Sequence, residues 1–133
     1  MINCDLENFG CGGGYFIPAI DFLATEGTCS NKCKPYWNTK NLCTFSCDQS
    51  NDKYEKYYCK PGTFKIHTSI EETQHEIYNN GPVMVGLVVY EDLYNYRSGV
   101  YEYTAGGYIG GHAIRAFGWG HDEDGFLYWI LQN

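Results

Sequence analysis

Apolar residues follow two different rhythms along this chain. Phe16, Ile20, Leu23 and Ala24 recur at helical spacing, which predicts a helix from Tyr15 to Glu26–Gly27 with those four on its buried stripe. Pro18 suits its first turn and Gly27 its C-cap. Ser69, with Glu72 three residues on, makes a capping box that opens a second helix, closed by Gly81 and Pro82. The rhythm then changes. "PVMVGLVVY" is an apolar run of strand length, and "SGVYEY" reads as a further strand. "GHAIRAFGWG" and "FLYWILQN" flank the polar turn "HDEDG" and predict a hairpin. Residues 28–62 show neither rhythm and read as loops held by cysteines. The composition shifts near Gly62, so two subdomains are expected, 1–62 and 63–133.

The 133 residues suffice for one compact domain with a core. At 44% apolar residues the chain is no disordered tail, and 13 tyrosines with 16 glycines suit strands and tight turns better than a helical bundle. A net charge of −7 offers no basic face, so neither nucleic acid nor an anionic membrane surface is an expected partner. The longest apolar run is far shorter than a membrane span, so no membrane insertion is expected. "INCDLEN" after Met1 has no basic or apolar leader region, and no secretion signal is visible.

The cysteines pull the other way. All seven lie between 4 and 59, the density of a disulfide framework made in an oxidising compartment. The odd number leaves one over. A framework without a leader suggests a natural chain that begins before Met1. Zinc competes as a reading, because C-x3-C occurs at 29/33 and at 43/47. That spacing is loose and the segment has no histidine, so disulfides are favoured.

The hairpin carries the candidate chemistry. A turn centred between Asp122 and Glu123 puts His112 directly opposite Asn133, on one face. An amide oxygen that accepts the imidazole N–H fixes the ring's orientation and tautomer, and leaves the other nitrogen as a base. A slip of one residue would move this pairing. The plainer reading is a hydrogen-bonded pair without further role. The pair is also only the base and orienter of a nucleophilic site, with no nucleophile. His67, His75 and His121 read as surface residues, "HDEDG" as a solvated turn rather than a metal site, and the tyrosines of 90–103 as core and rim.

"GGHAIRAFGWG" resembles the histidine block of the papain family of cysteine peptidases, and "YWILQN" the start of its asparagine block. "NGPVMVGLVVYEDLYNYRSGVY" is similar to a stretch of the cathepsin B branch, and "CDLENFGCGGGYF" to the family's glycine-rich substrate wall. The similarity runs over nearly the whole chain in the right order. It implies an α+β papain-like fold, a helical and a β-barrel subdomain with a cleft between them. Residues 1–62 would supply the rear of the first and 63–133 most of the second.

By this resemblance His112 is the general base, Asn133 orients it, and the function is that of a cysteine-type endopeptidase. Gly13 and Gly14 would pair with an extended substrate, and Gly111 would offer it a carbonyl. Gly86 and Ala113 would line the pocket for the second residue before the scissile bond. Gly12 and Phe16 stand where the family usually has Asn and Pro, which puts the wall's shape in question. The nucleophilic cysteine, in its C-G-[SA]-C-[WY] motif, and the oxyanion-hole glutamine would both precede Met1, so this chain alone should be inactive. Cys11 sits where a helix dipole would favour a thiolate. The resemblance instead makes it a structural cysteine whose partner lies upstream.

The resemblance pairs Cys4 with Cys43 and Cys33 with Cys47, and leaves Cys29 with Cys59. The segment between Cys33 and Cys43 is short and lacks the two histidines of cathepsin B's occluding loop, which implies an open cleft. Expected partners are peptide or protein substrates and the protein's own N-terminal part. No cofactor is implied, and the compartment would be a lysosome, a digestive vacuole or the exterior. The alternative is a non-catalytic papain-like homologue or inactive fragment acting as a binding module.

Overall fold

A computed structural model of the chain describes residues 1–48 and 51–133. It divides into two compact units, Met1–Lys65 and Ile66–Asn133.

Among the described residues the first unit has one α-helix, α1 (Phe16–Thr25), after a 3-10 turn at Gly10–Gly12. Glu26 and Gly27 both donate to the Phe22 carbonyl and end the helix, with Gly27 in the left-handed region at φ 70°. A Cβ on Gly27 would also meet the Tyr57 carbonyl at 2.9 Å, so only glycine fits. The expected stripe of α1 is only partly covered: Ile20, Leu23 and Ala24 are half-buried and Phe16 is exposed. The reason is the loop-rich surroundings: the described residues put no second layer of regular structure over the helix.

Two disulfides hold the loops, Cys4–Cys43 and Cys33–Cys47, and Cys33 is buried. Cys11, Cys29 and Cys59 carry free thiols, so the structure corrects the expected third bridge. Around the antiparallel bridge Thr28–Tyr57, Cys29 falls opposite Lys56, three residues short of Cys59. That is about 10 Å of extended chain, beyond the ~7 Å reach of a disulfide between Cα atoms. The Cys59 N–H is instead tied to the Leu23 carbonyl of α1. Cys29 lies against Tyr54, whose hydroxyl is pushed up by burial and by this neighbouring thiol.

The second unit packs α2 (Ile70–Asn80) on an antiparallel sheet ordered β1-β2-β3, with β1 Val83–Tyr90, β2 Tyr108–His121 and β3 Leu127–Gln132. The Ser69 side chain accepts from the Glu72 N–H, and Glu72 in turn accepts from the Thr68 N–H. This is a capping box closed one residue earlier than usual. Ile77 of α2 is buried, as are Ile114 and Ala116 of β2. In the ladder Val83 and Val85 of β1 lie opposite Ala116 and Ile114, so these residues share the core face.

The expected strand at 98–103 does not form. Asp92, in a 3-10 turn over Glu91–Asn95, binds the Tyr101 hydroxyl of that segment and the backbone just after it. Its carboxylate accepts from the Tyr101 hydroxyl at 2.7 Å and from the backbone N–H groups of Thr104 and Ala105 at 2.8 and 3.3 Å. The segment is a loop that Asp92 clamps at the Tyr101 side chain and just beyond its end. These bonds hold Asp92 down at about 2, led by the Thr104 N–H, and the hydrogen bond that Tyr101 donates to Asp92 pushes Tyr101 up to about 12.

Candidate active site

The site is built on the β2–β3 hairpin. The Asp122 carboxylate accepts from the N–H groups of Asp124 and Phe126, and Gly125 takes φ 86°. This turn centres the hairpin on Asp124, since His121 pairs with Leu127 and Trp119 with Trp129. The expected turn centre, and with it the direct His112–Asn133 opposition, is therefore displaced.

A bulge restores the relation by another route. The register shifts between Ala116 and Gly118, so that Gly118 faces Ile130 while Ala116 faces Leu131 and Arg115 faces Gln132. Phe117 is the extra residue. Continued by one step, this register puts Asn133 opposite Ile114, two residues from His112 on the same face. Without the bulge the hairpin would carry Asn133 opposite Arg115, on the other face, because one residue of slip inverts every side chain. His112 continues the row of Ile114 and Ala116 just where that row emerges into solvent.

The contact forms across this diagonal. The Nε2 of His112 lies 2.7 Å from the Oδ1 of Asn133. An amide oxygen can only accept, so Nε2–H donates and the lone pair stands on Nδ1. Nδ1 is then the nitrogen that can take a proton.

The neighbouring residues are placed by the same sheet. Gly86 and Ala113 are direct cross-strand partners, and Gly111 faces Val88. These positions alternate with His112 and lie on the opposite face of the sheet. The ladder with β3 ends at Arg115–Gln132, so the edge of β2 around Gly111 has no strand beside it among the described residues.

Gly13 and Gly14 lie in the first unit. The Gly13 N–H donates to the Gly10 carbonyl, and its own carbonyl accepts from Phe9, so both its backbone groups are engaged within the loop. Gly14 has no backbone partner among the described residues. It is held from behind: Asn8 accepts from the Tyr15 N–H at 2.6 Å and donates to the buried Asp5 at 2.7 Å. A Cβ on Gly14 would stand 2.0 Å from the Asn8 oxygen. Asn8, Asp5 and the bulge at Phe117 escaped the sequence reading. The one signal for the bulge is Gly118, since glycine inside a strand often marks one. Of the remaining histidines, His75 and His121 are exposed, whereas His67 is half-buried and 3.6 Å from Glu76.

The comparisons with known proteins now decide the family. The model described as papain family cysteine protease matches residues 1–133. The chain belongs to the papain family. It is 40% identical to cathepsin B-like cysteine proteinase 3 of Caenorhabditis elegans, over 94% of this chain and 39% of that one. It is 34% identical to cathepsin B-like protease 1 of Arabidopsis thaliana, over 96% of this chain and 38% of that one. Among solved structures, procathepsin B S9 from Trypanosoma congolense aligns with a TM-score of 0.85 and 30% identity, covering 99% of this chain and 47% of that one. The papain-like fold is thus established, and this chain spans less than half the length of these relatives.

Proposed function

We propose that this papain-family chain carries the base and the orienting amide of a cathepsin B-like cysteine endopeptidase, His112 and Asn133. The His112 Nε2–Asn133 Oδ1 hydrogen bond, which leaves Nδ1 free, is the observation that carries this reading. The nucleophilic cysteine and the oxyanion-hole glutamine come from outside residues 1–133, so the chain by itself is inactive. Residues 1–62 belong to the helical subdomain and 63–133 to the β-barrel subdomain.

The chemistry follows from the free nitrogen. Nδ1 takes the proton of the thiol and makes a thiolate–imidazolium pair. The thiolate adds to the peptide carbonyl carbon, and the imidazolium gives its proton to the amine as the C–N bond breaks. The thioester that remains is cleaved by water, whose proton goes to Nδ1, releasing the acid and the thiol. Asn133 holds the ring in one tautomer through both halves. Gly14 and Gly111 supply backbone groups to an extended peptide, with Gly13 shaping the loop behind Gly14, and Gly86 and Ala113 line the second pocket. The short, histidine-free segment between Cys33 and Cys43 leaves internal peptide bonds accessible. The disulfides suit a lysosome, a digestive vacuole or the exterior.

The test is a peptidyl epoxide that alkylates active-site thiolates, applied to the enzyme expressed from its complete coding sequence. Labelling that His112→Ala abolishes supports the reading. Absence of labelling in the wild type, together with no cleavage of unfolded protein, sinks it in favour of a binding module.

A further inference from the structure

Gly14 is exposed, and its own N–H and C=O have no partner among the described residues. The two peptide groups on either side of it are nevertheless both held. The Gly13 carbonyl accepts from the Phe9 N–H at 3.0 Å, and the Tyr15 N–H donates to the Oδ1 of Asn8 at 2.6 Å. Both peptide groups are trans, so in each the C=O and the N–H point in opposite directions. The Gly14 N–H therefore points away from Phe9, and the Gly14 carbonyl points away from Asn8. Asn8 and Phe9 are neighbours, so Gly14 turns both groups to the side away from their segment. A donor and an acceptor on one side of one residue are what an extended chain pairs with, two bonds at a time.

Asn8 is itself fixed. Its Nδ2 donates to the Oδ2 of Asp5 at 2.7 Å, and the Oδ1 of Asp5 accepts from the N–H groups of Glu7 and Asn8 at 3.1 and 3.3 Å. Asp5 is 4% exposed, the one buried polar or charged residue among those described. A carboxylate accepts and a backbone N–H donates, so the Asn8 amide, set between them, has a single orientation. Phe9 packs edge-on against Tyr15, with ring centroids 6.2 Å apart, and ties the same two segments a second time.

We infer that Asn8, anchored on Asp5, is a positioning residue: by holding the Tyr15 N–H it aims the Gly14 carbonyl at the backbone of a bound peptide. This rests on the proposed peptidase function and on Gly14 pairing with an extended substrate. Asn8 touches no substrate and acts through the Gly14–Tyr15 peptide group alone. An aspartate would offer the same acceptor to Tyr15 but would set a second carboxylate against Asp5, and an alanine would leave the peptide group free to turn.

The test uses the enzyme expressed from its complete coding sequence and one fluorogenic peptide, in parent form and with the backbone nitrogen methylated at each of the three residues before the scissile bond in turn. Each methylation removes one donor, and where that donor meets the enzyme kcat/KM falls by roughly three- to tenfold or more. In the wild type two positions show this loss, one for the Gly14 carbonyl and one for that of Gly111. Asn8→Ala raises KM for the parent peptide more than it lowers kcat, and it abolishes the methylation loss at one of the two positions while the other keeps its wild-type size. Losses that are the same in wild type and variant overturn the inference, and so do losses that shrink together, which would mark Asn8 as a general support of the fold. If Asn8→Ala does not fold, the near-isosteric Asn8→Asp decides, assayed near pH ~7 where both carboxylates are charged: the same selective loss supports the inference and a wild-type pattern overturns it. A wild type that cleaves the parent peptide and is indifferent to methylation overturns the inference and leaves the peptidase function standing. Failure of the wild type to cleave the parent peptide or to take the thiol label overturns both.

Discussion

His112 and Asn133 meet across a diagonal of the sheet rather than face to face, and the one-residue bulge at Phe117 is what puts them on the same side. Replacing either residue separates the two roles. His112→Ala in the complete enzyme removes the base, with an expected loss in kcat of about 10²–10⁴. Asn133→Ala leaves the base but frees the ring, and the loss of one exposed hydrogen bond should cost roughly three- to tenfold. Steady-state kinetics on one peptide ranks the two, and an equal loss in both variants would contradict the division of labour.

Register gives a second handle. Deleting Gln132 moves the asparagine into the place opposite Arg115, on the wrong face, while the pairs from His121–Leu127 to Ala116–Leu131 stay intact. The ring-nitrogen NMR signals of His112 should show a single Nε2–H tautomer in the wild type and lose it in the deletion variant. A tautomer unchanged by the deletion would show that the diagonal contact does not orient the ring.

The Asp92 clamp predicts a pH profile. Its carboxyl is lowered from 3.8 to about 2 in the folded state, so its contribution is present above pH ~4 and disappears as pH falls towards 2. Tyr101 moves the other way, from 10.0 to about 12, and its contribution is present below pH ~10 and disappears as pH rises through 12. Asp92→Asn should bring the Tyr101 titration, followed by phenolate absorbance, back towards the ordinary tyrosine range. It should also speed hydrogen exchange at Thr104 and Ala105, and a Tyr101 titration that stays high in the variant contradicts the clamp.

Gly14→Ala tests the support behind the glycine loop. Its Cβ would overlap the Asn8 side chain, which must give up the Tyr15 N–H, at a cost of about 1–3 kcal/mol in urea unfolding. Gly13 has open space around its Cβ position but φ 96°, so Gly13→Ala should cost about 1–2 kcal/mol through backbone strain alone. Combining Gly14→Ala with Asn8→Ala should recover part of the loss, and simple additivity would show that the two residues are uncoupled.

Thiol counting checks the cysteines. Alkylation of the unfolded, unreduced chain should add three groups, at Cys11, Cys29 and Cys59, and reduction beforehand should raise this to all seven. One group before reduction would restore the third bridge.

Helix α2, the three strands that do form and the turn at Asp122–Gly125 are local facts, and they were legible because capping groups, apolar runs and glycines act within a few residues of themselves. The chemistry of His112 and Asn133 was legible as well, through residue type and the resemblance of their blocks. Their contact was not, because register depends on a turn centred at Asp124 and a bulge at Phe117, and a single residue of slip inverts a face. At 98–103, where a strand was expected, the chain is a loop, and its contact between Asp92 and the Tyr101 hydroxyl, nine positions apart, forms only once the chain has folded back. Distance decided the cysteines too. Composition says that seven are present, but which sulfurs meet depends on how the Thr28–Tyr57 bridge spaces Cys29 from Cys59.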